Sequence, residues 1–282
     1  MSDLVSLARH PTRQLWIDRL ERLHRQRSVI LGYHGISRSR RRHDLNLLLT
    51  HPSRFQTQLE SLLEAGFEFV TAAELARLGD GGEPPPGYAA ITFDDGMRNN
   101  RTVAFPILQR YGIPATVYIS IDLIGGVSPW VDPDGDNRML DTGEIRELAG
   151  AGWELGAHTM SHPDLSTLAY EACRREIEES KIALEEIGQV SVETFAYPFG
   201  RYDEQTIAAV RDSGLSAAVT TGSGIWEPYE LTRAMVGALD PTPVFMLKLT
   251  DRYEPLLRSP PLRLLRRASK TTRIAIQARR QA

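Results

Sequence analysis

The chain of 282 residues is 41% hydrophobic and 24% charged, an ordinary globular composition that excludes wholesale disorder. Its single cysteine, Cys173, excludes an intrachain disulfide, and a chain of this length buries enough surface to do without one. The net charge of −3 conceals an asymmetry: residues 1–42 hold ten Arg against three acids, residues 255–282 hold seven Arg and one Lys without an acid, and residues 43–254 carry −18.

Residues 1–27 carry no apolar run of the about 7–15 residues that a secretory signal needs, and nowhere is there the run of about 20 that spans a bilayer. The expected setting is therefore cytoplasmic. Thr12–Arg27 reads as a basic amphipathic helix with Leu15, Trp16, Leu20 and Leu23 opposite its arginines. The pattern divides the chain into a basic helical segment (1–27), a folded domain (28–250) and a basic tail (251–282), within which Leu262–Arg280 again reads as a helix.

Within the domain, short apolar runs alternate with amphipathic stretches. The predicted strands are Val29–Tyr33, Glu68–Thr71, Ala89–Phe93, Ala115–Ser120, Glu154–Ala157, Thr194–Tyr197, Ala217–Thr220 and Arg233–Gly237. Between them, Phe55, Leu59, Leu62 and Leu63 recur at helical spacing, and Tyr170–Ile187 reads as a long helix capped by Gly188. Gly79–Gly87 is a loop. Asp122–Leu140, with Pro129, Trp130 and Pro133, is a longer strandless insertion of the kind that often carries function. Seven or eight strands alternating with helices predict a parallel sheet, closed at this length into a (β/α) barrel.

Unusual polar residues follow four of these strands directly: His34, Asp94-Asp95, His158 with His162, and Tyr197-Pro198-Phe199-Gly200. The C-terminal ends of strands form the face on which barrel enzymes assemble their sites. Two histidines four apart after a strand can present both imidazoles to one point if the intervening residues form a helical turn, and a carboxylate completes a set of three ligands with an open position. A metal held so acidifies water and polarises a carbonyl. Of two adjacent carboxylates, one can ligate and the other serve as base.

In this order the motifs resemble the polysaccharide deacetylase family, carbohydrate esterase family four, also called the NodB homology domain. Thr92–Gly96 reads TFDDG and matches the first family motif in full; His158–His162 matches the second, H-[ST]-x-x-H. Phe105–Leu108, Ile113–Thr116 and Gly156–Leu165 are also similar, and the resemblance covers roughly residues 28–240. It implies a distorted, TIM-like (β/α) barrel holding one divalent ion on Asp95, His158 and His162, with Asp94 as general base. Zn2+ is the first expectation, with Co2+, Ni2+ or Mn2+ as alternatives.

The family's third motif, Arg-Pro-Pro-Tyr-Gly, is here Ala196-Tyr197-Pro198-Phe199-Gly200. That places Tyr197, Pro198, Phe199 and Gly200 around the substrate, with the backbone N–H of Phe199 in the oxyanion hole. Two features depart from the family pattern. The motif's Arg is Ala196, so Arg233 is expected to orient Asp94 instead. No Leu-x-His follows late in the domain, so His34 is expected to replace it as general acid. Trp130 and Tyr202 are candidates to stack on sugar rings.

The implied reaction removes N-acetyl groups from amino sugars of a poly- or oligosaccharide, or of a lipid-linked precursor. Alternatives are deformylation, O-acetyl ester hydrolysis, or glycan binding by a catalytically weakened relative. The expected partner is an N-acetylated carbohydrate. The basic termini read either as a peripheral contact with an anionic membrane or as ends that pack on and balance the acidic domain. Nucleic acid is not expected, since the tail lacks interleaved aromatics and the domain is acidic.

Overall fold

The computed structural model describes residues 11–38, 44, 47–131, 138–222, 224–250 and 252–258. The helix expected over Leu262–Arg280 and the centre of the Asp122–Leu140 insertion lie outside the described residues. Eight strands form the frame: β1 (Val29–Tyr33), β2 (Glu68–Val70), β3 (Tyr88–Phe93), β4 (Thr116–Ile119), β5 (Glu154–Ala157), β6 (Thr194–Ala196), β7 (Ala217–Thr221) and β8 (Leu231–Met235). They pair in parallel in the order β1-β8-β7-β6-β5-β4-β3, and β3 pairs back onto β1 from Val29↔Ala89 to Tyr33↔Phe93, closing a seven-stranded ring.

β2 lies outside the ring. It pairs with the first half of β3 (Glu68↔Tyr88 to Val70↔Ala90), whereas β4 pairs with the last half (Thr92↔Thr116, Phe93↔Val117). One long strand thus serves three neighbours, and the protein is a distorted (β/α) barrel. The eighth strand is displaced from its sequence expectation by two residues. Gly237, expected within it, donates instead to the Asp240 carboxylate at 2.7 Å in the turn that follows.

The helices are α1 (Pro11–His24), α2 (Pro52–Glu64), α3 (Ala72–Gly79), α4 (Phe105–Arg110), α5 (Thr142–Gly150), α6 (Tyr170–Gly188), α7 (Glu204–Asp212), α8 (Thr242–Lys248) and α9 (Tyr253–Arg258). α3 and α5 begin with capping boxes, Thr71 with Glu74 and Asp141 with Glu144, which satisfy two orphan N–H groups each. α6 ends otherwise than its sequence suggests: Gly188 is its last helical residue, and Gln189 takes the left-handed cap at φ 56°. A Cβ at 188 would meet Leu155 Cδ1 at 2.3 Å, so any larger residue there would have to displace the Leu155 side chain.

α1 spends its apolar side on the barrel. Ile17, Leu20 and Leu23 are buried, Arg13 pairs with Glu64 of α2, and Arg19 lies over the Trp16 ring. Leu15, expected on the same apolar side, is 47% exposed. Among the described residues no helix is long and apolar enough to cross a membrane.

Strand alternation sorts the side chains into two layers. Val29, Leu31, Tyr33, Ala89, Ile91, Phe93, Val117 and Ile119 pack outward under the helices; Ile30, Ala90, Tyr118, Ala196, Val219 and Leu231 form the separate interior cluster. The floor of the barrel is polar and closed by α3. Its N-terminal amides donate from Ala72 to Thr116 Oγ1 and from Ala73 to Glu154 Oε2, both at 2.9 Å. A carboxylate at a helix N-terminus is electrostatically favoured, although burial still pushes Glu154 above the usual carboxylate range.

The Tyr118 ring fills the middle of the barrel in space left by Gly156, where a Cβ would come within 2.3 Å of two ring carbons. Gly156→Ala is therefore expected to cost about 1–3 kcal/mol by overpacking, read as a fall in the thermal midpoint. The double variant Gly156→Ala/Tyr118→Leu should recover part of that loss, because the clash is with this ring.

Candidate metal and catalytic site

Alternation also explains how the site assembles. Interior-facing positions continue past the strand ends: Ala90 and Thr92 lead to Asp94, Gly156 to His158, and Ile30 and Gly32 to His34. The ladder runs one step beyond each strand, with Asp94 N–H on the Tyr33 carbonyl at 2.8 Å and His158 N–H on the Ile119 carbonyl at 3.2 Å. The next residue of a continuing strand would point away. Asp95 instead adopts φ 72°, a left-handed conformation that Asp tolerates, and both carboxylates then line one cavity.

Asp95, His158 and His162 offer ligand atoms that all lie within 4.8 Å of one another. Asp95 Oδ1 is 3.4 Å from His158 Nε2 and 3.5 Å from His162 Nε2. Zinc–ligand bonds of about 2.0–2.2 Å in tetrahedral geometry separate the ligand atoms by about 3.3–3.6 Å, so the observed spacings suit such an ion. The tautomer suits it too. His158 Nδ1 lies 2.7 Å from the Ala196 carbonyl; donating its proton there leaves Nε2 free to ligate, the usual outer support of a metal-bound histidine. Burial opposes the charge on Asp95, but the two imidazoles more than offset it and hold the carboxyl far below its ordinary range. The same contacts outweigh burial at His158 and make that ring more basic.

The loop carrying both histidines is tightly turned, but not into the helical turn expected between them. Thr159 and His162 have φ of 70° and 60°, unfavourable for a β-branched residue and sustained only where the surroundings fix it. Thr159 Oγ1 accepts the His162 N–H at 2.9 Å. Glu176, on α6, accepts the N–H groups of Met160 and Ser161 at 3.0 Å each and the Ser161 hydroxyl at 2.8 Å. Glu176→Ala is expected to weaken metal affinity about 10–100-fold, as loss of such supports does, measured by competition with a chromophoric chelator.

Asp94 is gripped by Arg233. The guanidinium donates from Nη1 to Oδ1 at 2.6 Å and from Nη2 to Oδ2 at 2.8 Å. Its Nη1 also reaches Thr92 Oγ1 at 3.1 Å, its Nε reaches the Thr220 carbonyl at 3.2 Å, and its carbon lies 5.4 Å from the centre of the Tyr118 ring. Arg233 is 1% exposed, so this bidentate pair acts with little screening. Burial opposes ionisation of Asp94, but the guanidinium prevails and keeps its carboxyl below the usual range.

Asp94, Asp95, His158 and His162 face a cavity of about 380 Å³ that is also lined by His34, Leu48, Trp130, Tyr197, Phe199, Gly200, Thr221 and Met235, a size suited to a small-molecule group. Trp130 and Phe199 set ring edges on His162 at centroid distances of 4.7 and 4.8 Å. Phe199 is 56% exposed, with φ 60° inside the turn Pro198–Gly200. Pro198 is buried in that turn and is not among the lining residues. Tyr202 does not line the cavity either: its ring stacks on Tyr197 at 4.9 Å and its hydroxyl donates to Glu230. Sequence reasoning missed Glu176, whose only local signal is an acidic side chain beside the buried stripe Cys173, Ile177, Ser180 and Leu184. It also missed Tyr118, a lone aromatic in an apolar strand.

The polysaccharide deacetylase family model matches residues 81–218. The chain is 29% identical over 196 residues to YxkH of Bacillus subtilis, covering 69% of this chain and 64% of that protein. It is 28% identical over 173 residues to the poly-β-1,6-N-acetyl-D-glucosamine N-deacetylase of Staphylococcus aureus, covering 58% of each. The chain thus spans less than two thirds of the length of these curated relatives. Among solved structures, the Streptococcus pyogenes deacetylase PplD in complex with acetate superposes with a TM-score of 0.68 at 26% identity, over 79% of this chain and 97% of that one.

Proposed function

We propose that the chain is a metal-dependent hydrolase that removes N-acetyl groups from amino sugars of a glycan, releasing acetate. The observation that carries this reading is the juxtaposition of an Asp-His-His trio with a separate carboxylate, Asp94, clamped by Arg233 on the same cavity. The names of the staphylococcal and streptococcal relatives support it. Asp95 and the two imidazole Nε2 atoms would hold the ion, Zn2+ first by their donor chemistry. When bound, it would polarise the acyl carbonyl and acidify water at the site.

The remaining steps belong to the chain's own groups. Asp94, ionised and oriented by Arg233, accepts a proton from the water that attacks the acetyl carbon. The backbone N–H of Phe199 donates to the oxygen that gains negative charge. His34, as imidazolium, returns a proton to the nitrogen as the C–N bond breaks, so that acetate and a free amine leave. Trp130, Tyr197, Phe199 and Gly200 form the walls against which the sugar lies.

The test is acyl release by the zinc-loaded protein from N-acetylglucosamine oligomers, N-formyl sugars and O-acetylated sugars. Acetate is expected from the first, and its release should stop when a chelator removes the ion. Release from the second or third alone would change the acyl group assigned. No release from any of them, with metal bound, would replace catalysis with glycan binding.

A further inference from the structure

His34 reaches the cavity from the loop after β1, and two consecutive asparagines from the loop after β3 grip that loop. Asn100 Nδ2 donates to the backbone carbonyl of His34 at 2.8 Å, and Asn99 Oδ1 accepts the N–H of Ile36 at 2.9 Å. The residue between these two contacts is Gly35, where a Cβ would lie 2.7 Å from Asn99 Oδ1 and 2.9 Å from its Nδ2. Both asparagines are fully buried. Asn100 also opens a π-turn, Asn100–Ala104, a rare distortion that recurs at functional sites. Its Oδ1 is buried with no hydrogen-bond partner, an unfavourable arrangement that native structures keep only for a reason.

We infer that Asn99 and Asn100 are positioning residues for His34, fixing the backbone on both sides of Gly35 so that the imidazole meets the departing amine. This rests on the reading of His34 as the general acid. A glycine beside a proton donor leaves the backbone free to swing, and a donor must stand within about 2.6–3.2 Å of its acceptor to act. Clamping the carbonyl before the glycine and the N–H after it removes that freedom without placing any group in the cavity.

A purely structural role is separable by the leaving group. An amine must be protonated to depart from an amide, whereas 4-nitrophenolate departs from an ester unaided. The experiment compares the zinc-loaded full chain with its His34→Ala, Asn100→Ala, Asn100→Leu and Asn99→Ala variants on an N-acetylglucosamine oligomer and on 4-nitrophenyl acetate. His34→Ala is expected to slow amide hydrolysis about 10²–10⁴-fold and ester hydrolysis by no more than about threefold, as loss of a general acid should. The asparagine variants should show the same selectivity at a smaller size, about 10–100-fold on the amide, the scale of a misplaced catalytic group.

Asn100→Leu, of similar shape but without the donor, keeps the test intact if the cavity left by Asn100→Ala prevents folding. Equal losses on both substrates in the asparagine variants, with His34→Ala selective for the amide, would show that the asparagines only hold the fold and would overturn the inference. Equal losses on both substrates in His34→Ala would instead remove the acid role of His34, and the positioning role with it.

Discussion

Asp94→Asn and Arg233→Met should each abolish most activity and destabilise the protein, while the double variant should regain much of the stability and none of the activity. The pair is buried, at 5% and 1% exposure. Removing one member strands the other's charge in the barrel, at a cost of about 3–5 kcal/mol; replacing both with uncharged groups avoids that desolvation. Activity follows a different rule. A general base contributes about 10²–10⁴ in rate, and that contribution is lost whenever Asp94 is absent or unoriented. Denaturant unfolding and acetate release on the same four proteins check both halves. A double variant no more stable than its parents would mean that the Thr92 and Tyr118 contacts, rather than the ion pair, hold Arg233. Full acetate release by Asp94→Asn would discard the assigned base.

Zinc is expected to stabilise the native chain by about 4 kcal/mol at a thousandfold excess over its dissociation constant, because a ligand that binds only the folded state shifts the equilibrium by mass action. Asp95→Ala and His162→Ala should abolish that shift, since no other group of three ligand side chains occurs among the described residues. Thermal melts with and without chelator provide the measurement, independent of any substrate. An unchanged midpoint in the native protein would mean that three donors spaced like ligands do not form a metal site, and the catalytic reading would lose its basis.

Much of this site was legible before the fold. TFDDG and H-[ST]-x-x-H are short motifs whose residues act together within a few positions, and each follows an apolar run that the β period marks as a strand. The spacing of His158 and His162 is local, so its consequence is local as well. Even Arg233, 139 residues from Asp94, could be nominated because the family's own arginine is missing at Ala196 and the last strand begins near it. Tyr202 is a candidate for a different reason, as a loop aromatic that could stack on a sugar ring, and it does not line the cavity. A sequence reports that an aromatic follows a turn, but which way its ring folds depends on partners such as Tyr197 and Glu230, distant in the chain.

What the sequence determined by itself was therefore the alternation of strands and helices, the barrel class, and the candidate residues for holding a metal and moving a proton, because periodicity and motif chemistry are written over a few consecutive positions. The tertiary structure alone decided the distortion and the support: a third strand docked on β3, a tyrosine under Arg233, a glutamate of α6 pinning the histidine loop, and two asparagines clamping His34. These depend on which side chains meet across the closed ring, and ring closure is a property of the whole chain that no local stretch encodes.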